Sequence, residues 1–321
     1  MSSSLDRSSR WSIVVADDPA PEGVPYGALD LKSVPVQYCG LGDSATLLHR
    51  ALHRAASVAP VSQILVTALE EYRERWEPML WFLRPELRFV NDRRTGSQLT
   101  AAAAILSIAE LSPSSIVTIL PARRYAAHES LLRRALQHAA DELPYIPEGA
   151  ATLGMLDIDE SLDEDYLVVG RAAAGPGLAV RGIARRPTAW VARHLRRQGA
   201  VVASGITIAY AGVLAAHLSK QWPGIASKLI RLLTAATTAQ VECEIPATLL
   251  EGVPNTLLKS LTWSPPALPQ RVFTVCQSGW SGLKSPREVT RIMDFLRRTG
   301  ERYQAEVRTL PPSSRREPVV L

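Results

Sequence analysis

No run of about eighteen apolar residues occurs in this chain of 321 residues, so no membrane-spanning helix is expected. The opening residues, Met1-Ser2-Ser3-Ser4-Leu5-Asp6-Arg7, lack the apolar core of a secretion signal. Cysteine is scarce: Cys39, Cys243 and Cys276 are the only three, far apart. An odd count at such spacing fits neither a disulfide framework, nor a zinc knuckle, nor a redox pair. A reducing, cytoplasmic setting is therefore expected. Zinc-finger spacing, an RNA-binding aromatic signature and a basic-helix heptad are all missing, so nucleic acid is not expected as a partner. There is no internal repeat.

The most telling absence follows the first strand. Trp11-Ser12-Ile13-Val14-Val15-Ala16 is the kind of run that opens a nucleotide-binding sheet. A glycine loop should come next, because its backbone N–H groups cradle phosphates. The chain gives Asp17-Asp18-Pro19-Ala20-Pro21-Glu22 instead. The acids repel a triphosphate, and each proline removes a donor.

What is present is ordinary for a soluble globular protein: 46% hydrophobic and 21% charged residues. A net charge of +5 admits an anionic partner but reads more simply as a slight excess of surface arginine. Short apolar runs alternate with helical patterns, the rhythm of an α/β sheet. Strands are expected at 13–16, 63–67, 87–90, 115–120 and 151–156. Helices are expected at 45–58, 70–80, 97–109 and 127–143. The alanine run Ala101 to Ala104 implies close backbone packing. Beyond residue 160 the rhythm changes. Tyr166 to Gly170 and Leu178 to Ala184 read as paired strands around Gly175-Pro176-Gly177. A helix at 189–198 ends at Gly199. A strand at 201–210, helices to about 239, a strand at 272–276 and a helix at 286–298 close the pattern. The fold class is α/β: a Rossmann-like mixed, mostly parallel sheet flanked by helices, with a partly antiparallel second half. Residues 1–10 are expected to be a flexible N-terminus, 11–300 one domain, and 301–321 a disordered tail.

The order of local motifs resembles the sugar-phosphate nucleotidyltransferases, a GT-A-like fold, and among them the bacterial mannose-1-phosphate guanylyltransferases. Val34-Pro35-Val36-Gln37-Tyr38-Cys39 resembles the family's V-P-K-Q-F-C segment. Arg93-Arg94-Thr95-Gly96 resembles its R-G-T-A base-binding turn. Ile119-Leu120-Pro121-Ala122-Arg123 resembles L-P-S-D, and Ala151-Thr152-Leu153-Gly154-Met155 the segment before the sugar loop. Ile183-Ala184-Arg185-Arg186-Pro187 resembles F-x-E-K-P, residues 199–205 the G-A-x-x-W-N-S-G strand, and Gly279-Trp280-Ser281-Gly282 resembles G-W-S-D. The resemblance implies a reaction in which GTP and mannose 1-phosphate give GDP-mannose and pyrophosphate. By motif position it implies Arg93, Thr95, Gly96, Arg123, Arg186, Ser204 and Gly205 as ligand-binding candidates.

The same alignment of motifs exposes what has gone. Catalysis of this kind is positioning plus neutralisation of phosphate charge. Asp17 and Asp18 replace the glycine loop, and Val36 replaces its lysine. Arg123 and Gly282 replace the two metal aspartates, Arg185 and Arg186 the E-K pair, and Ala203 the asparagine. Loss of one preorganised group commonly lowers the rate by about 10²–10³. The expectation is a pseudoenzyme with no confident catalytic residue, no metal ligand and no cofactor, which binds a partner protein or an anionic or nucleotide ligand. A homo-oligomer, or a subunit role for the arginine helix Arg193 to Arg197, is also consistent. The alternative is an active enzyme in which Arg123 and Arg186 replace metal charge, Asp17 or Asp18 supplies a carboxylate, and Mg²⁺ is still used.

Other constellations carry less. His49 and His53 are spaced for zinc but have no third ligand, and read as a solvated helix face. The acidic run Asp157, Asp159, Glu160, Asp163, Glu164, Asp165 lacks a calcium-loop pattern and reads as a solvated loop. The pairs Arg123-Arg124 and Arg185-Arg186 are suited to holding an anion without metal. Ser204 and Ser281 have no adjacent base and are not read as nucleophiles.

Overall fold

In the computed structural model, residues 9–18, 34–41, 45–91, 97–156, 164–170, 175–246, 268–283 and 288–298 are described. The strands are β1 (Arg10–Val15), β2 (Ile64–Leu69), β3 (Arg88–Asn91), β4 (Ile116–Pro121), β5 (Ala150–Met155), β6 (Tyr166–Val169), β7 (Leu178–Ala184), β8 (Val201–Tyr210), β9 (Cys243–Ile245) and β10 (Gln270–Val275). The helices are α1 (Leu47–Val58), α2 (Arg73–Trp76), α3 (Ser97–Leu111), α4 (Glu129–Asp141), α5 (Ala189–Arg197), α6 (Ala211–Gln221) and α7 (Pro223–Ala239), and residues 288–298 form a closing helix.

One ten-stranded sheet runs in the order β5-β10-β7-β6-β8-β4-β1-β2-β3-β9, with β5 also pairing β8. From β4 through β1, β2 and β3 to β9 every pairing is parallel. Beyond β4 the sheet turns antiparallel, through β8, β6 and β7. The α/β rhythm and the partly antiparallel second half therefore stand as the sequence implies.

Apolar faces decide the layers. Leu48, Ala51, Leu52, Ala55 and Val58 of α1 share one core with Leu132, Leu136 and Ala139 of α4. On the other side of the sheet, Ala102, Ala103 and Ala104 of α3 pack with Leu214 of α6 and Leu229 of α7. The alanines permit that close approach, as their small volume predicts.

Three local differences have physical causes. Residues 70–80 do not form one helix: two 3₁₀ turns flank α2. Pro78 opens the second of these turns, and it has no N–H to continue a helix. Strand β9 is only three residues long and carries no periodic signal. Strand β1 begins at Arg10, which pairs with Asp141 at 2.6 Å. The C-terminal segment 301–321 lies outside the described residues.

Gly154 shows how tightly the second half is closed. A Cβ there would lie 2.3 Å from Cγ2 of Val201 and 2.6 Å from Cγ2 of Val272. Overpacking a filled site typically costs about 1–3 kcal/mol. Gly154→Ala is expected to lower unfolding free energy by roughly that amount, measured by urea titration. An unchanged midpoint would mean that the β5–β8–β10 junction is looser than these distances imply.

Candidate functional site

The candidate cleft forms where the end of β4 meets the segment after β10. Tyr125 and Ser281 exchange backbone hydrogen bonds of 3.1 and 2.9 Å, and His128 N donates to the carbonyl of Ser278 at 3.0 Å. Gly279 permits this contact: its φ is +60°, and a Cβ would sit 2.5 Å from Cβ of Ala127. Trp280 is buried between two guanidiniums, Arg54 at 5.7 Å and Arg124 at 6.0 Å from its ring centroid. Arg54 is itself buried and bidentate to Glu129, at 2.8 and 2.6 Å, and it donates to the carbonyl of Arg124 at 2.9 Å. The chain positions Arg124 from both ends, by its backbone and by its side chain.

A cavity of about 240 Å³ results, lined by Asp18, Arg123, Arg124, Glu164, Asp165 and Arg186, with Ala203, Gly205 and Gly282 on its floor. Three cations and three carboxylates thus face one space. Arg124 Nη1 donates to Glu164 Oε1 at 2.8 Å, and the Glu164 side chain is only 2% exposed. Gly282 makes this pair possible: a Cβ at that position would fall 1.8 Å from Glu164 Oε1 and 2.4 Å from Arg124 Nη1. The space beside position 282 is thus held by a carboxylate already paired with arginine. This corrects the reading of the whole acidic run as solvated: Glu164 is buried, while residues 157–163 lie outside the described residues. Asp165 is engaged too, since its Oδ1 accepts from the backbone N–H of Arg186 at 3.0 Å and its carbonyl accepts from Ala203 N at 2.8 Å.

Arg186 is held in the left-handed region at φ 40°, an unfavourable place for a non-glycine residue. It keeps an exposed side chain at the cavity rim. Arg123 also lines the cavity, and its Nε is buried with no partner. Gly205, at φ +83°, lies against Pro121 and Arg124, as expected of a cleft residue. Ser204 does not reach the cleft. It is fully buried, and its Oγ accepts from Ile206 N at 3.0 Å. Ser281 is likewise structural, with Oγ donating to Glu288 at 3.3 Å. Arg93, Thr95 and Gly96 lie outside the described residues.

Val36 explains itself by packing. It is 1% exposed in an apolar cluster with Leu41, Leu47, Tyr125, Leu283, Val289 and Ile292. Val289 and Ile292 of the closing helix cover Val36, which does not line the cavity. Gln37 is buried beside it and donates to the carbonyls of Ala16 at 3.1 Å and Asp18 at 2.6 Å. The Tyr38 hydroxyl donates to the Ala16 carbonyl at 2.5 Å. The end of β1 is thus clamped by side chains.

Asp17 turns away from the cavity. It is fully buried and accepts from the Thr67 hydroxyl at 2.7 Å and from Asn91 Nδ2 at 2.6 Å. Asn91 also contacts the Thr100 hydroxyl. No cation faces this carboxylate among the described residues, so burial, reinforced by nearby Asp18, pushes its pKa up to about 6. Asp17 is directed into the interior and does not line the cavity. Only Asp18 of the pair lines the cavity.

The fit of a divalent metal can be judged from these donors. Glu164 is tied to Arg124 and Asp165 to the Arg186 backbone. No group of three or more His, Cys, Asp or Glu converges among the described residues. The donor set does not fit Mg²⁺, which needs oxygen ligands free of competing guanidinium. His49 and His53 supply no alternative: His49 caps α1 in a reciprocal box with Thr46, its N–H donating to Thr46 Oγ1 at 3.2 Å. A larger hollow of about 1210 Å³ at the β3–β9 edge has no cation in its lining among the described residues, and two of its three acids, Glu70 and Glu242, pair with Arg73.

No family model matches the chain, and no curated protein does. Solved structures do match in fold. Mannose-1-phosphate geranyltransferase from Thermus thermophilus aligns over 86% of this chain and 76% of its own, at 18% identity and a TM-score of 0.65. Mannose-6-phosphate isomerase from Helicobacter pylori aligns over 84% of this chain and 98% of its own, at 15% identity and a TM-score of 0.60. CMP:2-keto-3-deoxy-manno-octonic acid synthetase complexed with CTP aligns over 90% and 99%, at 12% identity and a TM-score of 0.50. The chain has the nucleotidyltransferase-type fold that its motif order implied.

Asp17 gives a pH test. Its folded pKa lies above the unfolded value of 3.8, so the folded state holds the proton more tightly. The associated stability is fully present below pH 3.8 and is lost as pH rises through about 6. Asp17→Asn is expected to raise unfolding free energy at pH 7 by an amount on the order of 2–3 kcal/mol, with the gain vanishing toward pH 4. Denaturant titrations across that range would show it. A pH-independent difference would mean that Asp17 titrates normally.

Proposed function

We propose that this chain is a catalytically silent relative of the sugar-phosphate nucleotidyltransferases that binds an anionic ligand through arginines in place of a metal. The observation that carries the reading is the Arg124–Glu164 pair in the space that a side chain at 282 would need. A metal-assisted phosphoryl transfer needs carboxylates free to hold Mg²⁺ and a cationic path to the leaving pyrophosphate. Here the first carboxylate position is Arg123, the second is an internal ion pair, and the lysine position is an apolar core residue.

What remains can still attract an anion. Arg123 and Arg186 line the cavity, Arg123 has a buried nitrogen to satisfy, and Arg124 sits behind its own carboxylate. Guanidinium groups donate paired hydrogen bonds that match phosphate oxygens. The ligand classes that fit are nucleotides and phosphosugars. The neighbour solved with CTP bound is consistent with a nucleotide. The alternative, GDP-mannose synthesis by a rewired site, has Asp18 as its one cleft carboxylate without a hydrogen-bond or ion-pair partner to its side chain among the described residues.

Calorimetry with pyrophosphate and with GDP-mannose tests this directly. Binding is expected without Mg²⁺, and Arg123→Ala or Arg186→Ala should weaken it about tenfold, as loss of a charge-assisted hydrogen bond does. Glu164→Gln should tighten it by releasing Arg124. Turnover of GTP and mannose 1-phosphate with Mg²⁺, above a protein-free control, would refute the proposal. Gly282→Asp is expected to leave the protein inactive, because its Cβ displaces Glu164 without removing Arg123 from the site.

A further inference from the structure

From Tyr166 to Val241 the chain has ten Lys and Arg and not one Asp or Glu. The whole chain has a net charge of only +5, so the remainder is net acidic. The basic stretch spans β6, β7, α5, β8, α6 and α7. Three of its arginines lie on α5, and Arg181 and Arg185 lie on or just past β7; of the arginines in the stretch, Arg186 alone lines the cleft among the described residues.

Helix α5 is amphipathic in an unusual sense. Its inner side is apolar: Ala192 is buried, and Leu195 packs on the core shared with α1 and α4. Its outer side places Trp190, Arg193, His194 and Arg197 at i, i+3, i+4 and i+7, one exposed face. Trp190 is 70% exposed. Its ring stacks on His194 at 5.8 Å and 5° between planes, which fixes the indole's orientation. Gln198 Nε2 lies 3.0 Å from His194 Nε2 and braces the second ring. Before the helix, Arg181 on β7 and Arg185 just past its end are both exposed. Among the described residues Arg181 and Arg197 have no ion-pair partner.

We propose that the outer face of α5, with Arg181 and Arg185, docks a partner protein whose surface is acidic and holds an apolar pocket for Trp190. Trp and Arg are the residues that dominate protein interfaces, and a rigid aromatic knob ringed by cations is their usual arrangement. The absence of any acid along the stretch makes the surface complementary to carboxylates and repels another basic surface. Nucleic acid fits less well. Single strands lie in basic grooves with several stacking aromatics, whereas α5 is a convex ridge with one indole. A lipid surface fits less well too, because the apolar side of α5 faces the protein's own core. This surface is independent of the cleft and of its ligand.

The probe is a fluorescent amphipathic peptide with glutamates on one helical face and leucines on the other, followed by anisotropy with the full chain. Binding is expected at low salt and should weaken about tenfold at physiological salt. Trp190→Ala and the double variant Arg181→Glu/Arg197→Glu should each weaken it about tenfold or more. Both variants are expected to keep the wild-type melting temperature, since these side chains are exposed. No peptide binding, or binding that neither variant changes, overturns the proposal. So does an oligothymidylate that binds more tightly than the peptide and is lost in the same variants. Trp190-dependent dimers in sedimentation would overturn it in favour of a second copy of this chain.

Discussion

The contact between the end of β4 and residues 278–281 is the constraint on which the cleft depends. Two short backbone bonds between Tyr125 and Ser281 bring β4, which is parallel to β1, against a segment far away in sequence. Trp280 then lies within cation–π reach of both Arg54 and Arg124, and Glu129 neutralises the more deeply buried of the two. Every group in the cavity is referred to this junction. Arg124 is fixed by it, Glu164 is fixed by Arg124, and Gly282 is the room it leaves. Removing one partner of such a pair strands the other charge in a poorly solvated place, which is why ion pairs of this kind hold geometry better than they add stability.

Position 282 carries no side chain, and the room beside it is filled by the carboxylate of Glu164. The difference from a metal site lies in what neutralises it. A carboxylate awaiting Mg²⁺ is a ligand with open coordination, whereas Glu164 is already satisfied by a guanidinium that cannot give up its proton. The two clefts can carry similar total charge while offering different atoms to a phosphate. A metal site presents a cation through its oxygens; this one presents N–H donors directly.

Much of the fold was legible because it follows from patterns the physics enforces locally. Buried parallel strands such as β2 must be continuous apolar runs, and α1 and α4 must show an apolar stripe. Strand β9 was not legible because three residues carry no period. In the site, the legible part was the set of departures from the resembled motifs, at Asp17, Asp18, Val36, Arg123 and Gly282. The partnerships were not legible. Nothing in the acidic run marks Glu164 as its buried member, since its partner Arg124 is 40 residues away in sequence. Asp17 reads in the sequence as an acid that repels a triphosphate, and nothing there marks it as buried. One signal did exist. Thr67 is the polar residue within β2, and Asn91 ends β3, where the register pairs Thr67 with Phe89 and Leu69 with Asn91. Both donate to Asp17.

The buried Asp17 sharpens the case against a preserved triphosphate loop. A phosphate loop needs the chain after β1 to turn its N–H groups outward, free of other bonds. Here the chain is drawn inward. The Ala16 carbonyl receives both Gln37 and Tyr38, the Asp18 carbonyl receives Gln37, and the Asp17 carboxylate sits among Thr67, Asn91 and Thr100. Each bond favours the same inward path, and the carboxylate is held there at a cost in desolvation that neighbouring hydroxyl and amide donors only partly offset. Residues 16–18 thus give their carbonyls and the Asp17 carboxylate to internal donors. The segment after β1 uses its polar groups in internal bonds, while the end of β4 presents the Arg123 guanidinium to the cavity.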